Sequence, residues 1–259
     1  MPTAAAPIRR VRGQRTRPGY GRVGRVGTRA GRHPGTVARV QRDRVAQAVL
    51  GVTAVTVAFG LVVQLAAVLE ADPTTTRFTG GPARVFNMFC FFTVQSNVFV
   101  GVTSGLFALQ PDRDSTWLRA FRLAAVVDIA ITGIVYHVAL RGLQELDGKA
   151  LVGDIVLHSV VPVLAVLGWL LVGPRGLTSW PDVGRAAVIP VAWLAFTLVR
   201  GPIVHWYPYP FLDVEVHGYA VVFRNVALVA AVFLVFASGA HKLDEVLGRR
   251  SAGRSLAAA

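Results

Sequence analysis

Cysteine and charge are both scarce in this chain of 259 residues. Cys90 is its only cysteine, which excludes an intrachain disulfide framework and a zinc site of the usual multi-cysteine kind. Charged residues make up 16% of the sequence and hydrophobic residues 53%, whereas soluble domains have about a quarter charged residues. This composition argues against a water-soluble protein, because the excess apolar side chains need surroundings other than water.

Acidic residues are almost missing from the first part of the chain. Residues 1–44 contain twelve arginines, with Asp43 as the only acid. Residues 45–259 carry 15 basic and 13 acidic side chains and are nearly neutral. The net charge of +13 therefore belongs to the tail, and it does not predict a nucleic-acid partner for the body. Arginine outnumbers lysine 25 to 2, which is typical of a GC-rich bacterial genome.

Apolar periodicity is absent from residues 1–41, where Gly, Arg, Pro and Thr dominate. Such a segment cannot bury enough surface to offset its ordering entropy, so we expect a disordered basic tail on the cytoplasmic side. It is not a secretory signal, since neither an apolar core nor a cleavage site follows at the usual distance. Its role is left open between a solvated tail that fixes topology and a contact to anionic lipid or nucleic acid.

Six apolar stretches follow, and each is about as long as one helix that crosses a bilayer. They lie near residues 45–69, 85–109, 118–140, 151–173, 184–206 and 217–239. They do not alternate apolar and polar residues as the strands of a membrane barrel do. We therefore predict an all-α polytopic membrane protein with a six-helix transmembrane domain over residues 42–242. Residues 243–259 form a short carboxy-terminal tail.

Lysine and arginine in the loops predict the orientation. With the amino terminus inside, nine of these residues lie in the inner segments without counting the tail, and six lie on the outer side. Both termini should then be cytoplasmic. For a bacterial protein, the predicted location is the inner membrane, as a multi-pass protein.

Polar side chains occur at matching depths in two of these spans. Thr93, Ser96 and Asn97 share one helical face of the second span, and Asp154 and His158 share one face of the fourth. Thr93 lies roughly 12 Å and His158 roughly 10 Å below the outer end at 1.5 Å per residue. Ionisable groups at such depth usually face a bundle interior or a cavity.

Further polar residues belong to the same outer half of the predicted bundle. They are His137 in the third span, Arg200 and His205 in the fifth, and His217, Arg224 and Asn225 in the sixth. The inner halves have little that compares, so we predict one polar cavity that opens outward. Pro162 cannot donate a backbone hydrogen bond to the carbonyl of His158, and we expect the fourth helix to kink there.

Three separated segments resemble a known family. FFTVQSNVF (Phe91 to Phe99), DIVLHSVVP (Asp154 to Pro162) and HWYPYPFLD (His205 to Asp213) occur in this order. They resemble the bacterial Pr6Pr-type integral membrane proteins. They are more distantly similar to the androgen-induced and androgen-dependent membrane proteins of animals, which are threonine hydrolases that cleave fatty acid esters of hydroxy fatty acids. The resemblance covers roughly residues 45–240.

This resemblance implies an intramembrane hydrolase of lipid esters. It makes Thr93 the nucleophile and His158 the catalytic histidine, and it matches the Tyr–Pro–x–Leu element at Tyr209. Gln95 follows the threonine where the animal proteins are more apolar. The partners expected are membrane lipid and a lipid-like substrate. No cofactor and no metal are expected, and nothing in the sequence indicates an oligomeric state.

A threonine hydroxyl needs a base to act as a nucleophile. His158 is placed to serve as that base, and Asp154, one turn before it, is the nearest carboxylate to orient the imidazole, with Asp128 as the less favoured alternative. Asn97 or Arg200 would stabilise the oxyanion. The residues predicted to contact substrate are Asn97, Gln95, Arg200, His137, Arg224 and Tyr209.

Two other interpretations remain open at this point. The same polar cavity suits a non-enzymatic protein that binds or transports a small or lipid-like solute, and polar residues also act as structural contacts between membrane helices. In the structural interpretation, Arg200 and Arg224 pair with Asp128 or another acid inside the bundle, or extend outward to the membrane surface. Tyr209 then belongs to an aromatic belt at the membrane interface.

Overall fold

A computed structural model describes residues 34–72, 74 and 77–257 of the chain. This part of the chain folds into eight α-helices and contains no strand. The helices are α1 (Pro34–Glu70), α2 (Gly81–Phe89), α3 (Phe92–Leu109), α4 (Thr116–Val135), α5 (Gly148–Ile155), α6 (Val161–Leu171), α7 (Trp180–Val204) and α8 (Val214–Ala257). Two π-helical segments, Tyr136–Leu140 and Val156–Val160, extend α4 and join α5 to α6.

Six stretches of this chain are long and apolar enough to cross a membrane. They are Asp43–Glu70, Phe92–Leu109, Thr116–Leu140, Gly148–Leu171, Trp180–Val204 and Val214–Arg250. The predicted all-α bundle of six spans is thereby confirmed. The second predicted span is divided, because the helix stops at Phe89 and starts again at Phe92. The cytoplasmic placement of the termini stays a prediction.

The ends of the predicted segments differ from those of the observed helices. Helix α1 begins at Pro34, within the segment that composition assigned to the tail. Proline fits the first helical position because it has no N–H to leave unpaired there, and after Gly35 no helix breaker occurs before Gly51. Residues 1–33 of the predicted tail lie outside the described residues. At the other end, α8 continues through residues 243–257.

Local sequence explains several helix boundaries. The hydroxyl of Ser115 accepts a hydrogen bond from the N–H of Leu118 at the start of α4, and Ser179 forms a capping box with Asp182 at the start of α7. His205 ends α7 in the left-handed conformation, with φ of 49°. The chain then reverses direction into the segment 206–213, which returns toward the helices.

Helix α4 is the centre of the bundle. It packs against α3 and α6 on one side and against α7 and α8 on the other. Its buried face includes Leu123 and Val127, which pack with Phe233 of α8, and Ile129, which packs with Val161 of α6. Helix α1 covers α3, α5 and α6. The polar groups carried by α4 are therefore held inside the bundle.

The fourth span contains a π turn just before Pro162, where a kink was expected. The N–H of Val161 bonds to the carbonyl of Val156, five residues back, and Pro162 follows inside α6. The wider turn accommodates the proline because it changes the hydrogen-bond register just before the ring. A second π turn closes α4, where the N–H of Arg141 bonds to the carbonyl of Tyr136 at 2.8 Å. Such single π turns are rare in proteins overall, but where they occur they are often at functional sites.

Candidate active site

Thr93 lies in the first turn of α3 and is 3% exposed. A residue in a first turn has no intrahelical partner for its N–H. The N–H of Thr93 therefore donates to the hydroxyl oxygen of Tyr209 at 3.1 Å. The break between α2 and α3 thus places the Thr93 hydroxyl at the positive end of a helix dipole, which favours a developing negative charge.

His158 lies in the π segment between α5 and α6 and contacts Thr93 directly. Its Nε2 is 3.2 Å from Thr93 Oγ1. Its Nδ1 is 3.0 Å from Asp154 Oδ1 and 3.1 Å from the backbone carbonyl oxygen of Asp154. The depths predicted from the sequence are consistent with this contact, and the structure brings the predicted threonine, histidine and aspartate together in one chain of hydrogen bonds.

The partners of His158 assign its ring protons. Both oxygens near Nδ1 accept hydrogen bonds only, so the proton of the neutral ring belongs on Nδ1 and Nε2 becomes an acceptor. Tyr209 accepts the Thr93 N–H, and its own proton is free to point at Thr93 Oγ1, 3.1 Å away. The Thr93 hydroxyl proton then faces His158 Nε2, which is the arrangement that a general base requires.

Tyr136 supports the carboxylate from the opposite side. Its hydroxyl donates to Asp154 Oδ2, and its ring stacks on the imidazole of His158 with centroids 4.2 Å apart and planes at 18°. Sequence reasoning named the neighbouring His137 as a site residue and missed this tyrosine. The available signal was the spacing of four that Tyr136 shares with Asp128 and Thr132.

Tyr209 reaches the site from the segment between α7 and α8. It is 8% exposed and packs against Phe91 and Trp193. Burial raises the pKa of the phenol, while the hydrogen bonds from Thr93 lower it, so the hydroxyl stays protonated over the physiological range. Tyr209, predicted to contact substrate, thus contacts Thr93 directly.

Two cavities meet at Thr93. The apolar cavity, of about 260 Å³, lies among α3, α4, α7 and α8 and is lined by Thr93, Asp128, Thr132, Tyr209 and mainly apolar side chains. The polar cavity, of about 460 Å³, is lined by Thr93, Asp154, His158 and, among others, Gln64, Arg77, Arg84 and Asn87. The hydroxyl of Thr93 therefore stands between an apolar compartment and one that carries two arginines.

No family model, no curated protein and no solved structure matches this chain. The assignment of a candidate active site therefore rests on the contacts from Thr93 through His158 to Asp154. Among the described residues, no group of three His, Cys, Asp or Glu side chains is placed to hold a metal ion.

Three other predicted residues lie beside the site without lining either cavity. The side-chain amide of Asn97 donates to the carbonyls of Thr93 and Leu157, so it joins α3 to the π segment and does not face the Thr93 hydroxyl. Gln95 donates to the carbonyl of Phe89 and bridges the break between α2 and α3. His137 is exposed and contacts Gly133 O and Ser159 Oγ. The predicted substrate contacts of these three residues stay predictions.

The two arginines predicted to bind substrate, Arg200 and Arg224, line neither cavity at Thr93 and do not pair with Asp128 in the described chain. Arg200 donates to Asn87 Oδ1 and lies over the rings of Phe78, Phe86 and Trp206. Arg224 is exposed on α8. Asp128 has no partner in the described chain, so its pairing with either arginine is wrong, whereas the oxyanion contact of Arg200 stays a prediction.

Buried polar groups also occur at the opposite end of the bundle, where the sequence indicated few. Asp244 is fully buried and accepts hydrogen bonds from the N–H groups of Gly176 and Thr178. Asp182 is fully buried too and pairs with Arg185. These carboxylates fasten the connection between α6 and α7 to α8 and to the start of α7, and their contacts are structural.

Proposed function

We propose that this protein is an intramembrane hydrolase of lipid esters, with Thr93 as nucleophile, His158 as general base and Asp154 as the residue that orients the imidazole. The observation that carries the proposal is the continuous chain of hydrogen bonds from Thr93 Oγ1 through His158 to Asp154. The resemblance of the three sequence segments to threonine hydrolases points to the same residues.

The reaction has two steps. In the first, Thr93 Oγ attacks the ester carbonyl carbon while His158 Nε2 takes the hydroxyl proton. The ester C–O bond then breaks, His158 returns the proton to the leaving alkoxide, and the acyl group remains on Thr93. In the second, water attacks the acyl carbon, His158 takes a proton from this water, and the fatty acid leaves as Thr93 recovers its proton.

We infer that Tyr209 and the start of α3, in place of Asn97 or Arg200, stabilise the negative charge that develops in the reaction. The hydroxyl of Tyr209 is 3.1 Å from Thr93 Oγ1, the nucleophile oxygen, so the carbonyl oxygen of an ester attacked by Thr93 would lie near this phenol. The helix dipole of α3 adds a positive potential at the same place. Donors that are fixed before the reaction act strongly in a site from which water is excluded.

The two cavities favour an ester with two unlike parts. The apolar cavity suits the acyl chain that is transferred to Thr93. The polar cavity contains Arg77 and Arg84 and suits a leaving alcohol with an anionic group, such as a hydroxy fatty acid. Val191 and Leu234 line the apolar cavity and are exposed at 63% and 52% on the surface of the bundle. A substrate can therefore enter from the membrane between α7 and α8.

Labelling with a fluorophosphonate probe tests the nucleophile in the purified full-length protein. We expect the wild type and Thr93→Ser to react, and Thr93→Ala and His158→Ala to lose labelling and ester hydrolysis by about a thousandfold or more, as for other coupled catalytic residues. Hydrolysis is measured as release of oleic acid from its ester with a hydroxystearic acid.

Thr103→Ala is the matched control. Thr103 is a buried threonine of the same helix, its hydroxyl bonds to the carbonyl of Phe99, and it lines neither cavity that meets at Thr93. This variant should label like the wild type. Labelling that survives Thr93→Ala refutes the assigned nucleophile and leaves the binding of a lipid-like solute as the better account of the cavities.

A further inference from the structure

Asp128 is a buried carboxyl group without a partner. It lies on α4, is 1% exposed, and lines the apolar cavity. Neither of its side-chain oxygens has a hydrogen-bond partner in the described chain. Buried polar side chains are bonded in the large majority of cases, and each exception requires an explanation. Because this carboxyl adjoins a cavity large enough for a ligand, a polar group of the ligand is the natural partner.

The cavity wall indicates which kind of polar group fits. Its remaining polar residues include the hydroxyl-bearing Thr93, Thr132 and Tyr209, and no Lys, Arg or His of the described chain lines it. A ligand ammonium would bring a second charge into an apolar site at a desolvation cost. A ligand hydroxyl both donates and accepts, so it satisfies a carboxyl group in either protonation state. A hydroxyl is therefore the better match.

The position of Asp128 places that hydroxyl away from the ester. Tyr136, which contacts Asp154 and His158, follows Asp128 by eight residues in the sequence. Eight residues correspond to roughly 12 Å along a helix. Thr132 lies between them on the same cavity wall. A long fatty acyl chain with its carbonyl at Thr93 would therefore pass Asp128 near the middle of the acyl chain.

We propose that the apolar cavity selects an acyl chain with a hydroxyl group near its middle, and that Asp128 binds this hydroxyl. The proposal rests on the proposed function, because the carbonyl of the same chain is taken to lie at Thr93. It goes further by assigning the hydroxyl to the acyl part of the ester, in addition to any oxygen of the leaving alcohol.

Competition between two fatty acids tests this inference without catalysis. Ricinoleic acid differs from oleic acid by one hydroxyl group in mid-chain. Each acid is used to displace parinaric acid, a fluorescent fatty acid, from the full-length protein in detergent micelles. We expect ricinoleic acid to compete about tenfold better, as one added hydrogen bond in a buried site allows. Equal competition by the two acids overturns the proposal, and this comparison needs no variant.

Variants test whether Asp128 causes the preference for ricinoleic acid over oleic acid. Asp128→Leu should abolish it by weakening ricinoleic acid binding, whereas Asp128→Asn should keep it, since an amide also donates and accepts. Thr197→Val is the control, because Thr197 also has a buried, unpartnered hydroxyl but does not line the cavity, and it should leave the preference unchanged. A preference that persists in Asp128→Leu overturns the role of Asp128.

Competition by the two acids and ester hydrolysis, both measured on the wild type, separate this inference from the proposed function. If the preference is present and no ester is hydrolysed by the wild type, the hydrolase proposal fails and the binding site stands. If umbelliferyl oleate and umbelliferyl ricinoleate are hydrolysed equally well and both acids compete equally, the hydrolase stands and the inference about Asp128 fails.

Discussion

Tyr209 shows how one side chain can hold the reacting group in place. Its hydroxyl accepts from the N–H of Thr93 and lies within hydrogen-bond distance of Thr93 Oγ1. Two polar atoms of the same buried residue therefore depend on one phenol. This makes the hydroxyl of Tyr209 more important than its ring for the proposed chemistry.

Tyr209→Phe should therefore reduce the rate of fluorophosphonate labelling at Thr93 by about tenfold or more, which corresponds to 1.4 kcal/mol in the activation free energy. It should also lower the free energy of unfolding by about 1–3 kcal/mol, because a buried N–H loses its partner. Labelling kinetics and thermal unfolding in detergent measure the two effects.

Tyr207→Phe provides the control for that substitution. Tyr207 is buried to the same extent as Tyr209, at 8% exposure, but its hydroxyl has no hydrogen-bond partner in the described chain. Removing it should change neither labelling nor stability. If both variants lose labelling to the same degree, the contribution belongs to the aromatic packing of the segment and not to the hydroxyl of Tyr209.

At the scale of elements, the site depends on places where regular helices are interrupted. The break at Cys90–Phe91 creates the helix start that holds Thr93. The π segments Tyr136–Leu140 and Val156–Val160 carry Tyr136 and His158. The segment between α7 and α8 brings in Tyr209. Each interruption frees or redirects a group that a continuous helix would have used in its own hydrogen bonds.

Gly201 fixes the last of these interruptions. A Cβ atom at this position in α7 would overlap the ring of Tyr207. Gly201→Ala should displace the segment that carries Tyr207 and Tyr209 and lower the free energy of unfolding by about 1–3 kcal/mol, the usual cost of overpacking. Labelling at Thr93 should fall as well. Thermal unfolding and labelling of the same preparation check both outcomes.

Gly184→Ala is the matched substitution in the same helix. A Cβ atom at Gly184 meets no atom within 4 Å, and alanine in a helix interior is favoured over glycine by about 0.5–1 kcal/mol. This variant should be at least as stable as the wild type. Equal destabilisation by both substitutions would show that α7 is sensitive to alanine in general. The effect of Gly201→Ala could then not be attributed to the close packing of Gly201 on Tyr207.

At the scale of the whole molecule, the placement of arginine and lysine predicts the orientation in the membrane. The prediction puts both termini in the cytoplasm and the loop after α4 outside. Leu143 in that loop is 62% exposed, and Gly253 near the end of α8 is exposed. In a Cys90→Ala background, an impermeant maleimide should label Leu143→Cys in intact cells and Gly253→Cys only after permeabilisation.

The reverse pattern of labelling would place the proposed site in the inner half of the membrane. The hydrogen-bonded residues around Thr93 would be unchanged, but the substrate would then come from the inner leaflet. Labelling of both cysteines in intact cells would put both residues outside and require an even number of crossings between Leu143 and Gly253, in conflict with the three spans there.

The sequence by itself determined the class of fold and much of the candidate site. Apolar run lengths are local properties, so six spans could be counted from them, and helical periodicity put Asp154 and His158 on one face. Depth along the spans also indicated that Thr93 and His158 lie at one level. Turn signals were enough to separate the spans, but not to reveal the break before α3.

The tertiary structure decided which of the polar residues meet. Tyr136 contacts Asp154 whereas its neighbour His137 contacts Ser159, because successive residues of a helix point in different directions and the packing of α4 decides which of them faces Asp154. Arg200 lies over aromatic rings, and Asp128 is left without a partner beside a cavity. These outcomes depend on how helices far apart in sequence pack around α4, and no local pattern of residues encodes that arrangement.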